Sequence, residues 1–467
     1  MNEEMDLHVN RCSRPSELRI TDMRYTCMTG APLNTILVKL YTNQGITGVG
    51  ELRDGGSFYY AAQLKSRILG ENPCNVEKIF KRIKQFGGPA RQAGGVSGVE
   101  TALWDLAGKA YGVPVCQMLG GKHREAARVY THPGFTVPKD EPPGGRTMGK
   151  YLKKRVDEMG FTMCKTAIGV DTIQRLYPDE PVICAPRGRF AEIERAGATL
   201  GKHASPAVHF ATAGAEDFGE RIWAFTEAFR EMPYNFYRVT ERGLDLYEKE
   251  IAEMREALGY ETPLAIDHIG SLNLEDCARL LRRLEKYSLA WVEDALPPYY
   301  AKEYKQLSQM TTVPLATGED LYAVEGFEPL CVDRAVPIIH PDVASCGGIL
   351  EMKRIGDMAE RHNISMIGHM CETPVAAIAT AHVGVATESF IALEFPCPDV
   401  PWWHDMVLGF GGPVIHDGYL RPNEKPGLGF DDTNDELLAE HVMPGTGGVW
   451  NDTSYWNAIW AHDKKYE

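Results

Sequence analysis

Residues 263–294 read PLAIDHIGSLNLEDCARLLRRLEKYSLAWVED. The stretch opens with a short apolar strand that ends at Asp267, and it closes with a second one that reaches Glu293. Between the two, apolar residues recur at the spacing of one helical face: Leu274, Cys277, Leu281 and Leu284. Strand, helix and strand in this order predict a parallel sheet, either open and doubly wound or closed into a barrel.

The same unit repeats along the second half of the chain. Six ionisable residues each close an apolar run, at intervals of 23 to 27 residues: Asp267, Glu293, Glu319, Asp342, His369 and Glu394. Units of such constant length favour a closed barrel, because a barrel gathers groups from different strand ends on one rim. An open sheet would spread these residues along an edge.

The first third of the chain follows a different pattern. Residues 35–52, TILVKLYTNQGITGVGEL, alternate like strands around a turn at Asn43-Gln44-Gly45. Helical periodicity follows and is predicted to stop at Gly120 and Gly121. Strands followed by segregated helices indicate a separate, small α+β unit.

A long insertion interrupts the barrel rhythm at about residues 169–237. Lys165 and Asp267 are 102 residues apart, whereas one strand–helix unit needs about 25. A loop of this length inside a compact domain usually acts as a lid or a binding element. Tyr177 in this loop is a candidate substrate-binding group or acid.

Composition excludes several classes of protein. The chain is 44% hydrophobic and 24% charged, as in ordinary soluble proteins, and no apolar run approaches a membrane span. A net charge of −15 argues against nucleic-acid or anionic-membrane partners. Eleven cysteines without a C-x-x-C pair indicate reduced thiols. The acidic, polar start lacks the layout of a secretion signal, so we expect a cytoplasmic protein.

Three carboxylates on neighbouring strand ends, Asp267, Glu293 and Glu319, form an all-oxygen set. Hard Mg²⁺ prefers such ligands and leaves coordination positions for water and substrate. One such carboxylate alone would more often cap a helix or pair with a surface lysine. Three at matched spacing would repel one another without a cation, so we predict a Mg²⁺ site.

Asp342 and His369 follow on the next two strand ends. A carboxylate that binds one imidazole nitrogen fixes the tautomer and raises the basicity of the ring, which gives a general base aimed into the barrel mouth. A lone histidine at a strand end would more often be structural. The preceding Asp342 and the predicted metal favour the catalytic interpretation.

Three further residues admit two interpretations each. Glu394 is either a protonated acid that donates to a developing oxyanion or a partner in a salt bridge across the barrel top. Lys165, in MCKTAIG, either neutralises a substrate carboxylate and tunes a neighbour's pKa or lies solvated at the surface. His268 either supports substrate or ligands or points into packing.

These residues resemble the enolase superfamily, in its mandelate racemase/muconate lactonizing branch. The motifs GITGVGEL and VETALWDLAGKAYGVPVCQMLGG are similar to its capping domain, and G-Y-L-R-P…PGLGF to its C-terminal segment. The resemblance covers nearly the whole chain except about residues 169–237 and the last thirty-odd. It implies a modified TIM barrel, (β/α)7β, over residues 127–396, an α+β capping domain over 1–126 and a C-terminal segment, 397–467, packing on that domain.

The resemblance also implies roles. It places Mg²⁺ ligands at Asp267, Glu293 and Glu319, a His–Asp dyad at His369 and Asp342, and at Glu394 the acid that hydrogen-bonds an enediolate. Specificity in this family comes from capping-domain loops, here within 26–34 and 53–57, and from barrel loops. The family commonly carries Lys-x-Lys on the second barrel strand, with the second lysine as a base, but here Ala167 follows Lys165.

Absence of that second base favours elimination over racemisation, because elimination needs one base and one acid, and His369 can be both in turn. We therefore predict a Mg²⁺-dependent dehydratase that converts a small sugar acid to a 2-keto-3-deoxy acid, and we expect a homo-oligomer. An epimerase, racemase or cycloisomerase with a loop residue in place of Ala167 is an alternative. A non-catalytic binding or regulatory homologue is another.

Overall fold

The computed structural model describes residues 13–31, 33–133, 142–177, 179–184, 238–270 and 272–459. Its first unit is a three-stranded antiparallel sheet with helices packed against it. The elements are β1 (Ile20–Met28), β2 (Thr35–Thr42), β3 (Thr47–Leu52), α1 (Tyr59–Ala62), α2 (Lys65–Ile68), α3 (Val76–Ile83), α4 (Gly94–Tyr111) and α5 (Val115–Met118). β2 pairs with β3 around the turn at residues 43–45, where the sequence predicts it.

Glycines in the GITGVGEL motif allow α4 to lie directly on β3. A Cβ atom at Gly50 would overlap the carbonyl oxygen of Gly98, and one at Gly48 would overlap that of Ala102. Since both neighbours are backbone atoms, no side-chain rotation can make room. The helix and the strand approach this closely only because glycine has no side chain.

We expect Gly50→Ala to destabilise the capping domain by about 1–3 kcal/mol or more, the usual cost of overpacking a core. The urea midpoint of unfolding should fall. Gly448→Ala is the matched control, since a Cβ atom there would meet nothing within 4 Å. An unchanged midpoint for Gly50→Ala would contradict the packing argument.

The second unit is a closed barrel of parallel strands with helices between them. The strands are β4 (Ala127–Thr131), β5 (Cys164–Ala167), β6 (Leu264–Asp267), β7 (Val292–Glu293), β8 (Leu315–Thr317), β9 (Ile338–Ile339), β10 (Ser365–Gly368) and β11 (Phe390–Phe395). The helices are α6 (Gly145–Met159), α7 (Val170–Leu176), α8 (Glu241–Leu258), α9 (Leu274–Leu284), α10 (Ala301–Ser308), α11 (Ala323–Val332), α12 (Ile349–Arg361) and α13 (Pro374–Val385). Each strand pairs with the next, and β11 pairs with β4. The predicted barrel is confirmed, and the open sheet is excluded.

An apolar layer fills the inside of the barrel. Each strand, or the residue directly before it, contributes one buried residue: Tyr130, Met163, Ala265, Trp291, Ala316, Ile338, Ile367 and Ala392. Side chains alternate along a strand, so the residues between these face the surrounding helices and join the larger outer core. This apolar layer fills the barrel interior, and polar residues lie beyond it, towards the carboxyl ends of the strands.

The chain after the barrel returns to the capping domain. Its elements are β12 (Val407–Leu408), β13 (Tyr419–Leu420), β14 (Asp432–Thr433) and α14 (Asp435–Glu440). Backbone N–H groups of Met443 and Asn451 donate to carbonyl oxygens of β1 at 2.9 and 2.8 Å. The domain boundaries given above remain a prediction.

Part of the predicted insertion lies outside the described residues, namely 185–237. Its ends meet, because Ile183 forms an isolated antiparallel bridge with Val239. No helix in the described part of the chain is long and apolar enough to cross a membrane.

Candidate active site

A polar layer lies directly above the apolar interior of the barrel. Residues two positions further along a strand face the same side, so seven of the eight interior positions lead to a polar side chain. All seven side chains are buried: His132, Lys165, Asp267, Glu293, His340, His369 and Glu394. Gly318 takes the eighth position. The strand geometry alone therefore brings five of the nine predicted site residues to one level, and Glu319 directly follows Gly318. The five are Lys165, Asp267, Glu293, His369 and Glu394.

Lys165 lies at the centre of this polar layer and is fully buried. Its Nζ is 2.9 Å from Asp267 Oδ2, 2.8 Å from Glu293 Oε1 and 3.0 Å from Glu394 Oε1. Burial lowers the pKa of Lys165, but the three carboxylates outweigh it and raise that pKa well above its ordinary value. The alternative of a solvated surface lysine is wrong.

Two of the three predicted metal ligands, Glu293 and Glu319, lie close together. Glu293, Glu319 and His340 each offer one ligand atom, and these atoms lie within 4.8 Å of one another. Asp267 is linked to Glu293 through Lys165, whose ammonium group contacts both carboxylates. Its Oδ1 is buried and accepts no hydrogen bond from the described residues, although His268 Nδ1 lies 3.1 Å away. The buried Asp267 oxygen without a hydrogen-bond donor and the nearby carboxylate oxygens of Glu293 and Glu319 are the kind of ligands that a hard divalent cation prefers.

His340 is a site residue that the sequence analysis missed. Its Nδ1 lies 2.8 Å from Glu293 Oε1, and its Nε2 is 3.1 Å from the Tyr130 hydroxyl. Burial lowers the pKa of His340, and Glu293 raises it to a net value above the ordinary one. The alternation of side chains along the strand could have identified His340, because it stands two residues beyond Ile338, which faces the barrel interior.

Asp342 and His369 are in contact, as predicted. His369 Nδ1 lies 2.6 Å from Asp342 Oδ2, and an isolated parallel bridge joins the two residues. Burial and the Arg53 guanidinium lower the pKa of His369 well below its ordinary value. His369 Nε2 lies 3.1 Å from Glu319 Oε2. The predicted base is therefore in direct contact with one of the predicted metal ligands.

The capping domain contributes Arg53, which is 1% exposed, to the same group of side chains. Its guanidinium lies 2.6 Å from Asp342 Oδ2 and 3.1 Å from Glu319 Oε1, and it also reaches His369 Nδ1. The resemblance predicts a capping-domain loop at residues 53–57, but it does not predict which residues Arg53 contacts. A charged residue directly after a buried strand was the only local signal.

Glu394 has the contacts that both of its interpretations require. Lys165 forms the salt bridge across the barrel top. Burial raises the pKa of Glu394 to about 7, and the Tyr130 hydroxyl donates to its Oε2 at 3.0 Å. A carboxyl group with this pKa is available as a hydrogen-bond donor near neutral pH.

The two remaining predicted residues, His268 and Tyr177, do not belong to the polar layer. The His268 side chain is 59% exposed beside Asp267, which raises the pKa of its imidazole, and its φ of +49° is unusual for a residue with a side chain. The Tyr177 hydroxyl donates to Glu250 and accepts from Lys249, 2.8 Å away. Neither Glu250 nor Lys249 belongs to the polar layer, so the role of Tyr177 stays a prediction.

Comparisons with known proteins agree with this fold and site. Residues 8–120 match the family model for the mandelate racemase/muconate lactonizing enzyme N-terminal domain, and residues 224–436 match the enolase C-terminal domain-like model. The chain belongs to the enolase superfamily, in the mandelate racemase/muconate lactonizing branch. Enzymes of this superfamily generally use a divalent metal.

Similar proteins cover nearly the full length. The chain is 28% identical to a D-xylonate dehydratase of Haloferax volcanii, over 92% of this chain and 90% of that protein. It is 27% identical to a D-mannonate dehydratase of Caulobacter vibrioides, over 91% and 95%. A crystal structure of a mandelate racemase/muconate lactonizing enzyme-like protein from Rubrobacter xylanophilus superposes with a TM-score of 0.73 at 28% identity, covering 93% of this chain and all of that one.

Proposed function

We propose that this protein is a Mg²⁺-dependent acid-sugar dehydratase, a hydro-lyase that forms a 2-keto-3-deoxy acid. The observation that carries the proposal is the single paired base: His369 bonds Asp342 and contacts Glu319. Ala167 stands where the family's second base is common. The printed names of the relatives, dehydratases of D-xylonate and D-mannonate, support the same class of reaction.

Asp267, Glu293 and Glu319, with His340 beside them, would hold the divalent ion. When bound, that ion supplies Lewis-acid stabilisation for the charge that develops on the substrate carboxylate. Lys165 carries a positive charge at the same level of the barrel and would stabilise the carboxylate during deprotonation. Glu394 would donate a hydrogen bond to the enediolate oxygen.

His369 performs both proton transfers in this proposal. Its Nε2 removes the α-proton, and Asp342 stabilises the imidazolium that forms. The imidazolium then returns a proton to the β-hydroxyl as the C–O bond breaks, and water leaves. The resulting enol tautomerises to the 2-keto-3-deoxy acid, so no oxidant or co-substrate is needed.

A screen of mono- and diacid sugars with Mg²⁺ tests the function. We expect at least one substrate to give a semicarbazide-reactive 2-keto acid, with one deuterium incorporated in D₂O. Proton exchange at the α-carbon without a keto acid would instead identify an epimerase. Mg²⁺ binding with no turnover or exchange of any acid would favour the binding or regulatory homologue.

Location and assembly are also part of the proposal. A cytoplasmic homo-oligomer is consistent with metabolic relatives and with the acidic composition. Light scattering on the purified full chain measures the assembly, and a monomeric mass at micromolar concentration would contradict it.

A further inference from the structure

We infer that the capping domain positions the catalytic dyad through two buried carboxylates, Glu51 and Glu100. Each one binds backbone N–H groups at the start of the barrel helix that follows a dyad residue. Glu51 accepts hydrogen bonds at the start of α13, which follows His369, and Glu100 accepts them at the start of α12, which follows Asp342. The inference rests on the proposed function of the dyad, and it adds a role to the capping domain beyond supplying Arg53.

Glu51 is 2% exposed and lies in β3. Its carboxylate accepts from Thr373 N at 2.9 Å, Thr373 Oγ1 at 2.6 Å and Ala376 N at 3.0 Å. Thr373 is the N-cap of α13 and stands four residues after His369. One capping-domain carboxylate therefore holds the far end of the short loop that carries the base.

Glu100 makes the corresponding contacts with the neighbouring barrel unit, which carries Asp342. This fully buried residue of α4 accepts from Ile349 N at 2.6 Å and from Leu350 N at 3.1 Å. Ser97, one turn earlier, accepts from Gly347 N at 3.0 Å. The loop from Asp342 to α12 is thus also fastened to the capping domain.

This arrangement distinguishes the two dyad units from the other barrel units. Where another barrel helix has a described side-chain acceptor for its first-turn N–H groups, that acceptor comes from the barrel itself. The acceptors are Glu250 for α6, Thr240 for α8, Asn273 for α9 and Glu351 for α11. Among the described caps, the capping domain supplies carboxylates only where a dyad residue precedes the helix.

A second set of contacts fixes the loop between His369 and Thr373. The Glu372 carboxylate accepts from Asp54 N at 3.3 Å and lies 3.5 Å from the Arg53 guanidinium. The loop is therefore held at both of its last residues by the end of β3 and the turn after it. With so few residues between these anchors and the imidazole, a shift of either anchor moves the base.

Burial raises the pKa of Glu51 to about 7 and that of Glu100 to about 8, and the converging hydrogen-bond donors act against this shift. Several N–H groups converge on one carboxylate at a helix N-terminus, where the helix dipole favours negative charge. Glutamine keeps one acceptor oxygen but places an NH₂ donor against the donors that the second oxygen binds, so part of the anchor is lost while the volume stays nearly the same. A displacement of about 1 Å at a reacting group reduces the rate by about 10²-fold.

Glu51→Gln and Glu100→Gln test the inference in the full-length protein, with Asp105→Asn as the matched control. Asp105 is a fully buried capping-domain carboxylate that also accepts backbone N–H groups, from Val49 at 3.0 Å and Leu428 at 2.9 Å, but it serves no dyad loop. Thr373→Val is a milder variant for the case that Glu51→Gln does not fold, because it removes the hydroxyl with its bonds to Glu51 and Val375 N and leaves Glu51 bound to two backbone N–H groups.

Two measurements need no substrate. Hydrogen exchange is expected to rise about tenfold in peptides covering residues 369–378 for Glu51→Gln and 345–352 for Glu100→Gln, the scale of a lost charge-assisted hydrogen bond. Carbethoxylation of His369 should accelerate severalfold in Glu51→Gln, because the loosened loop exposes the ring. Asp105→Asn should change neither.

The third measurement uses an acid sugar that the wild type turns over, deuterated at the α-carbon. We expect kcat to fall by about 10- to 100-fold in Glu51→Gln, with KM and the Mg²⁺ dissociation constant within about twofold of wild type. The isotope effect on kcat should increase, because a displaced base slows proton abstraction. Partial unfolding would lower kcat and leave the isotope effect unchanged.

Equal behaviour of Glu51→Gln and Asp105→Asn in exchange, modification and isotope effect would overturn the inference. So would wild-type kcat in both Glu51→Gln and Glu100→Gln. If the wild type turns over no acid sugar, the proposed function fails. The exchange and carbethoxylation results then still decide whether the capping domain positions His369.

Discussion

His369→Asn is expected to lower kcat for the acid sugar by about 10²- to 10⁴-fold, the contribution of a positioned general base. Asparagine retains a polar group near Asp342 but accepts no proton at neutral pH. Exchange of the substrate α-proton in D₂O should stop as well, because no second base stands at Ala167. Steady-state kinetics and proton NMR of the substrate provide the two measurements.

The control for this variant is His416→Asn, since the His416 side chain is 73% exposed and belongs to no described part of the polar layer. It should retain wild-type kcat. Mg²⁺ binding by His369→Asn should also persist, because the ligand carboxylates are intact. If His369→Asn still exchanges the α-proton at the wild-type rate, another residue is the base and the proposed mechanism is wrong.

Glu293→Gln is expected to abolish measurable Mg²⁺ binding and to lower kcat by about 10³-fold or more, because a catalytic metal contributes several kcal/mol to the transition state. Glutamine has the same shape but removes the charge from the group nearest to both Lys165 and His340. Calorimetric titration with Mg²⁺ measures binding, and kinetics at saturating Mg²⁺ measures the rate.

Glu328→Gln, an exposed glutamate on α11, is the matched control and should bind Mg²⁺ normally. Treatment of the wild type with a chelator should reproduce the loss of activity, and added Mg²⁺ should restore it. Unchanged Mg²⁺ affinity in Glu293→Gln would place the ion elsewhere and would remove the basis of the proposed site.

Sequence periodicity predicted the barrel and most of its polar layer. Constant spacing of strand ends forces residues such as Glu293 and His369 onto one rim, so their proximity follows from local pattern alone. His340 does not follow from the spacing of strand ends, because that spacing selects Asp342, two residues later. The alternation of side chains from Ile338 points His340 into the barrel, where it contacts Glu293. The same alternation would have identified His132.

Other features depend on contacts that no local pattern encodes. Arg53 reaches Asp342 only because the capping domain docks over the barrel mouth, and the two residues are 289 positions apart in sequence. Glu51 and Glu100 read as ordinary members of a strand and a helix until their barrel partners are known. The part of the insertion at 185–237 lies outside the described residues, so its role as a lid or a binding element stays a prediction.

Burial of Arg53 among barrel carboxylates has a consequence for protein engineering. The guanidinium belongs to one domain, and the acids that it neutralises, Asp342, Glu319 and Glu372, belong to the other. A barrel expressed without its partner would face solvent with uncompensated negative charge. Chimeras that exchange capping domains between relatives therefore have to transfer this arginine together with its acidic neighbours.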